Sequence, residues 1–135
     1  MKHSIADEKL IVLLRQMPFE KFEKCVEALH RAGVKFVEIC FNAKDDRDNE
    51  DTVRKIRYVC KKYPDIDVGA GTVLTKEQVG LAHDAGAQFI LSPVTDEGVI
   101  KTAKELGMIA IPGAFTPNEC YQAIRYGADF VKLFP

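Results

Sequence analysis

Glu38 and Lys132 are two residues whose types and positions could perform covalent catalysis. Each lies five residues after a glycine, Gly33 for the carboxylate and Gly127 for the amine. Apolar neighbours on both sides favour the uncharged amine of Lys132 and raise the pKa of the Glu38 carboxyl group. A neutral lysine attacks ketone carbons, and a carboxyl group that titrates nearer to neutral pH transfers protons. The matched positions therefore predict a nucleophile and a proton-transfer group that meet at one substrate.

Each of these two residues also has an ordinary structural explanation. A lysine at the end of a strand commonly runs its apolar stem along the protein and places its ammonium group in water. A single carboxylate at such a position is just as often a surface group. It is the coincidence of Glu38 with Lys132 at equivalent positions that favours catalysis over two unrelated surface charges.

The segment Gly69-Ala70-Gly71-Thr72-Val73 follows an apolar run and precedes an amphipathic one. Its small residues would let a ligand approach the backbone, and Thr72 offers a hydroxyl group. Leu74 stands where a dinucleotide-binding motif has its third glycine, which argues against a dinucleotide site. The segment is equally consistent with a tight turn before a helix that Thr75 caps.

Three further candidates follow other apolar runs. Arg15 could bind a carboxylate or phosphate through two hydrogen bonds, although an exposed rim arginine is an equally good interpretation. Pro93 and Pro112 lie in Ser92-Pro93 and Pro112-Gly113, which by themselves indicate rigid turns. We predict that Arg15, Gly71, Thr72, Pro93 and Pro112 line a substrate site.

No metal site is predicted. Asp45, Asp46 and Asp48 lie close together, but the segment has neither the glycine nor the terminal glutamate of a calcium-binding loop at the required offsets. No role is predicted for the histidines, which are His3, His30 and His83.

Short apolar runs alternate with amphipathic stretches, as in consecutive βα units of a parallel sheet. One example is the helix predicted after Pro18, in which Phe22, Cys25, Val26 and Leu29 form one apolar stripe. The predicted strands are 10–14, 34–41, 66–69, 88–91, 109–112 and 130–133, and the predicted helices are 19–32, 49–62, 76–85, 97–106 and 118–126.

A repeated template marks the passage from helix to strand. At Gly33, Gly86 and Gly127 the glycine is followed by a small residue, a variable residue, Phe and a β-branched residue. Such a glycine suits the left-handed end of a helix. The short spacing of Gly86, Gly107 and Gly127 favours a TIM (β/α)8 barrel, of which about six strands and five helices are present in a single partial domain, residues 1–135. The active site of such a barrel lies at the carboxyl ends of its strands.

The composition limits the function classes. With 135 residues, 47% of them hydrophobic, and a net charge of −1, the chain has no basic surface for nucleic acid. No run is long enough to span a membrane or to act as a secretory signal, which predicts a cytoplasmic protein without membrane contacts. Free thiols in a reducing compartment are predicted for the four scattered cysteines, which are Cys25, Cys40, Cys60 and Cys120.

Several short motifs follow one another from Leu10 to the end of the chain. They are Val37-Glu38-Ile39, Gly69-Ala70-Gly71-Thr72-Val73-Leu74, Ala85-Gly86-Ala87-Gln88-Phe89, Ser92-Pro93, Ile111-Pro112-Gly113, Thr116-Pro117 with Glu119, and Val131-Lys132-Leu133-Phe134-Pro135. Their order and spacing resemble those of the 2-keto-3-deoxy-6-phosphogluconate / 4-hydroxy-2-oxoglutarate aldolase family.

The resemblance implies a class I aldolase that needs neither metal nor cofactor and cleaves a small 2-keto acid to pyruvate and an aldehyde. Lys132 matches the Schiff-base lysine, and Glu38 matches the carboxylate that moves protons through a bound water. Thr72 matches a threonine near the substrate carboxylate, and Arg15 an arginine after the first strand. The resemblance also implies a homo-oligomer, commonly a trimer.

Members of the resembled family continue beyond the sixth strand, so we expect a truncated barrel that is weakly stable and prone to associate. One alternative is a non-catalytic barrel remnant that binds a small anion or only self-associates. Another is a phosphate-binding barrel of the thiamine-phosphate synthase or epimerase type, which would use other rim residues than Glu38 and Lys132.

Overall fold

The structure is a computed structural model that describes residues 1–44 and 49–135. Asp45, Asp46 and Asp48, which were considered as metal ligands, lie outside the described residues. Among the described helices, none is long and apolar enough to cross a membrane.

Five parallel strands form one sheet in their order along the chain, β1-β2-β3-β4-β5. Helices join successive strands, so each unit repeats the same βα crossover, as in the wall of a TIM barrel. The strands are β1 Val12–Leu14, β2 Phe36–Cys40, β3 Asp67–Gly71, β4 Phe89–Leu91 and β5 Ile109–Ile111. The helices are α1 Ile5–Glu8, α2 Phe19–Arg31, α3 Asn49–Lys62, α4 Lys76–Ala85, α5 Glu97–Glu105 and α6 Pro117–Tyr126. The predicted barrel class is confirmed.

Local signals set the ends of these helices, and the Thr75 cap and the Gly127 end agree with the predictions. Thr75 caps α4 by accepting a hydrogen bond from the Gln78 amide. Thr116 and Glu119 form a reciprocal capping box at the start of α6. Gly127 ends α6 with a φ of 102°, a backbone conformation that residues with a Cβ atom rarely adopt.

The two faces of the sheet have different neighbours. Val37 and Ile39 belong to the large cluster that packs the sheet against the helices. Phe36 instead joins Phe89, Leu91 and Ile111 in a smaller inner cluster. Because side chains alternate along a strand, Glu38 shares the inner face of β2 with Phe36. The predicted proton-transfer group therefore points into the interior of the barrel.

The first strand differs from its prediction. Five consecutive aliphatic residues at 10–14 predict a strand that is buried on both faces, but Leu10 is 57% exposed and Leu13 is 40% exposed. Within the described part of the chain, β1 pairs with β2 alone, so it forms an edge of the sheet. The expectation of full burial was wrong because burial of an edge strand depends on the neighbouring elements, which the apolar run itself does not specify.

The sixth predicted strand also differs. Only Lys132–Leu133 forms a strand, β7, and it pairs with Gly113–Ala114, β6, rather than with β5. Pro112 separates β5 from β6 because it has no amide hydrogen for the ladder. The Asp129 amide donates to the Ala110 carbonyl of β5. The strand therefore begins at Lys132, two residues later than predicted.

A short N-terminal helix was not predicted. The segment before α1 is tied to the amino end of β3, where the amides of Lys2 and His3 both donate to the buried Asp67 carboxylate at 2.8 Å. The His3 ring nitrogen Nδ1 lies 3.0 Å from the same carboxylate. Ile5 packs against the inner cluster. His3 thus has a structural contact at the end of the barrel away from the candidate site.

Candidate active site

The Glu38 carboxyl group lies at the centre of the candidate site. It sits in the middle of β2, opposite Leu13 and Gly69 in the neighbouring strands, and is 3% exposed. Burial raises the pKa of this carboxyl group, while the Cys40 thiol and the positive charges of Lys132 and Arg15 act in the opposite direction. The group therefore remains protonated to a higher pH than an exposed glutamate, as general acid–base catalysis near neutral pH requires.

Gly71 makes room for this carboxyl group. Any side chain at position 71 would place its Cβ on the Glu38 Oε1 atom. Gly69 has the same relation to the Phe89 ring. The sequence predicted that Gly71 lets a ligand approach the backbone; the structure shows that it also lets Glu38 occupy the interior.

Thr72 follows β3 with a φ of 55°, in the left-handed region. A β-branched residue is rarely found there, so surrounding contacts must hold it. The next amide, of Val73, donates to the Leu91 carbonyl at 3.1 Å. The Thr72 hydroxyl lies near the Cys40 thiol and acts to lower its pKa, against the larger effect of burial. Thr72 therefore neighbours the thiol that contacts Glu38.

Lys132 is the first residue of β7 and lies opposite Gly113. Its amide donates to the Pro112 carbonyl at 2.9 Å, which fixes the strand at this position. The side chain is half-buried, and its Nζ atom lies 4.4 Å from the centre of the Phe134 ring. Because its charge lowers the pKa of Glu38, the two predicted catalytic groups lie within electrostatic reach of each other.

The remaining predicted residues lie around the same edge of the barrel. Arg15 is exposed directly after β1, and its charge acts on both Glu38 and Cys40. Pro93 follows β4, and its carbonyl lies where a side chain at Gly113 would have to go. Pro112 is buried between β5 and β6. The structure brings Glu38, Gly71, Thr72, Arg15 and Lys132 together, with the two prolines on the Lys132 side.

The sequence interpretation missed Cys40, which it treated only as a free thiol. Cys40 lies two residues after Glu38 on the same face of β2, and its Sγ atom donates to Glu38 Oε1 at 3.3 Å. Burial and the nearby Glu38 carboxylate raise the pKa of the Cys40 thiol to about 12, so it stays protonated and able to donate. The alternation of side chains along a strand was a signal that could have found it.

Lys55 was also missed. It is only 5% exposed, donates to the Met17 carbonyl at 2.7 Å and pairs with Asp51 one turn earlier in α3. A cavity of about 210 Å³ lies beside it, with Thr52 and Cys40 in its wall. Lys55 thereby ties α3 to the loop that carries Arg15.

The arrangement supports proton transfer beside an amine nucleophile. The buried carboxyl group resists ionisation, the half-buried amine lies within its field, and an exposed arginine can attract an anionic substrate. All of these groups lie at or near the carboxyl ends of parallel strands, where barrel enzymes place their chemistry.

Comparison with known proteins gives consistent matches. The family model described as "Aldolase: KDPG and KHG aldolase" matches residues 1–135. A probable 2-dehydro-3-deoxy-6-phosphogalactonate aldolase of Rhizobium meliloti (strain 1021) is 37% identical over 130 residues, which cover 96% of this chain and 58% of the relative. The KHG/KDPG aldolase of Escherichia coli (strain K12) is 37% identical over 109 residues, which cover 81% of this chain and 48% of the relative.

Solved structures agree in fold. A structure described as native KDPGal superposes with a TM-score of 0.81 at 33% identity, covering 93% of this chain and 58% of that one. The chain thus spans about half the length of the relatives it matches.

Proposed function

Since this chain belongs to the KDPG and KHG aldolase family, we propose that it carries the chemistry of a class I aldolase, with Lys132 as the Schiff-base nucleophile and Glu38 as the proton-transfer group. The proposed substrate is a 2-keto acid with a hydroxyl group at C4, either 2-keto-3-deoxy-6-phosphogluconate or 4-hydroxy-2-oxoglutarate. The observation that carries the proposal is the buried Glu38 carboxyl group within electrostatic reach of Lys132.

The proposed reaction begins when the neutral Lys132 Nζ attacks the C2 ketone to form a carbinolamine. Glu38 donates its proton to the leaving hydroxyl group, so that water departs and a protonated imine forms, which withdraws electrons from the C3–C4 bond. Glu38 accepts the proton of the C4 hydroxyl group as this bond breaks, which releases an aldehyde and leaves an enamine on Lys132. Protonation of the enamine at C3 and hydrolysis of the imine then release pyruvate and restore the amine.

Neighbouring residues would assist by position and charge. Arg15, which is exposed at the rim, is proposed to bind the substrate carboxylate or phosphate. Thr72, Gly71, Pro93 and Pro112 are proposed to contact the substrate around the reacting carbons.

The test is reductive trapping with borohydride in the presence of pyruvate, followed by peptide mass spectrometry. We expect one pyruvyl adduct, on Lys132, and its loss in Lys132→Ala. Lys62→Ala is the matched control, because Lys62 lies on the exposed side of α3 near Tyr58 and Tyr63. Absence of an adduct on folded protein would contradict the aldolase proposal and favour a non-catalytic remnant that binds a small anion or self-associates.

We further propose that the protein assembles as a homo-oligomer, a trimer by its family. Apolar side chains on the outer side of α6 support this, since Tyr121 is 65% exposed and Ile124 is 64% exposed. Large apolar residues that are close together on a surface commonly mark an interface.

A further inference from the structure

The Glu38 carboxyl group has a hydrogen-bond donor on its own strand. Cys40 lies two residues further along β2, and both side chains are on its inner face. The Cys40 Sγ atom is 3.3 Å from Glu38 Oε1, and both residues are buried. Among the hydrogen bonds of residues 1–44 and 49–135, this is the one that reaches the Glu38 carboxyl group.

Two neighbouring elements surround Cys40. The Thr72 hydroxyl, from the turn after β3, lies near its sulfur and acts to lower the pKa of the thiol. The buried Thr52 hydroxyl, from the first turn of α3, donates to its carbonyl oxygen at 3.3 Å. The Thr52 bond fixes the backbone of Cys40, from which the thiol reaches Glu38 Oε1.

The space around the carboxyl group leaves it few other orientations. Gly71 is the residue paired with Cys40 across the ladder, and its missing side chain creates the space that Glu38 Oε1 occupies. The charged groups that act on Glu38 come from other elements, Lys132 from β7 and Arg15 from the end of β1. These charges attract the carboxylate as a whole, whereas the Cys40 thiol, within the described part of the chain, contacts one of its oxygens, Oε1.

We propose that Cys40 is a positioning residue for Glu38, holding Oε1 in place through its thiol so that Oε2 exchanges protons with the substrate. This inference rests on the proposed aldolase function.

A kinetic comparison tests the proposal. We expect Cys40→Ala to move the acid limb of the kcat/KM profile to higher pH, because a donor that stabilises the carboxylate is lost. At pH values on and below the acid limb, the variant should have a kcat/KM about three- to tenfold lower than the wild type, and at higher pH the loss should be much smaller. A loss of this size is expected when a weak donor is removed. Cys40→Ser should restore the wild-type profile, because a hydroxyl group donates as a thiol does.

Cys60→Ala is the matched control, because the Cys60 thiol contacts the Gly86 carbonyl and is remote from Glu38. It should leave the profile unchanged. An equal loss at every pH in both Cys40→Ala and Cys40→Ser would overturn the proposal and show that Cys40 only packs.

A second measurement separates this inference from the proposed function. The titration of the Glu38 carboxyl carbon can be followed by NMR without substrate, with Glu38→Gln identifying the signal. A shift to higher pH in Cys40→Ala supports the contact, whereas an unchanged titration overturns the inference even if imine trapping at Lys132 succeeds. A shifted titration together with failed trapping would overturn the aldolase proposal alone.

Discussion

The burial of Glu38 has opposite consequences for its proposed chemistry and for the stability of the fold. Its carboxyl group is nearly inaccessible, and burial raises its pKa despite the opposing effects of Cys40, Lys132 and Arg15. Desolvation of this kind suits proton transfer, because the group can hold a proton at a pH where exposed carboxylates cannot. It also penalises the folded state once the group ionises.

The pH dependence of stability follows from the direction of this shift. The pKa of Glu38 is higher in the folded than in the unfolded chain. Its favourable contribution to the free energy of unfolding is therefore fully present below the unfolded pKa of 4.5 and is lost as the pH rises through the folded pKa. We expect Glu38→Gln to raise the free energy of unfolding above that range by roughly 1 kcal/mol, because the amide remains uncharged. Denaturant unfolding across pH measures this.

Glu105→Gln provides the control, since Glu105 is an exposed residue at the end of α5. It should change the free energy of unfolding by less than about 0.5 kcal/mol at every pH. Parallel pH profiles for the wild type and Glu38→Gln would show that ionisation of Glu38 does not limit stability.

At the scale of elements, two buried charges anchor segments that the sequence left unassigned. Lys55 ties α3 to the Met17 carbonyl, in the loop after β1. Asp67, at the start of β3, accepts hydrogen bonds from the backbone of Lys2 and His3. Both anchors use a charged side chain to satisfy backbone groups, and such bonds stabilise more than neutral ones do.

The Asp67 anchor can be tested by Asp67→Ala, which leaves two amides without their acceptor. We expect a loss of about 1–3 kcal/mol in the free energy of unfolding. Faster hydrogen exchange at the amides of Lys2 and His3 should accompany it. Asp65→Ala removes an exposed partner of His30 two residues earlier and should cost no more than about 1 kcal/mol. Unchanged exchange at Lys2 and His3 would contradict the anchor.

At the scale of the whole molecule, the βα units of the barrel share one architecture but differ in how far their apolar side chains are shielded from solvent. The helices and the outer face of the sheet form a continuous buried cluster. Apolar side chains nevertheless remain in contact with solvent on the outer side of α6. The proposed homo-oligomer would bury them, since removal of apolar surface from water is the main favourable term in association.

Sedimentation velocity tests the proposed association. We expect the wild type to sediment as an oligomer and Ile124→Lys to shift it toward the monomer, because a lysine charge at a buried interface is costly. Gln122→Lys introduces the same charge on the same helix at an exposed polar position and should leave the oligomer intact. A monomer in all three samples would contradict the proposal.

The sequence by itself determined the alternation of strands and helices and the residues that end each helix. These features depend on interactions between close neighbours, such as the capping box of Thr116 with Glu119 and the left-handed Gly127. The equivalent positions of Glu38 and Lys132 were predictable for the same reason, because one short template recurs in each unit. The strand ends were not, since Glu38 lies in the middle of β2 and Lys132 is the first residue of β7.

Only the tertiary structure decided what surrounds those positions. The space at Gly71 for the Glu38 carboxyl group and the pairing of β7 with β6 join residues from different units. Such contacts depend on strand register and on the twist between neighbours, to which distant residues all contribute. A local pattern can therefore predict which residues face the interior, but not which of them touch.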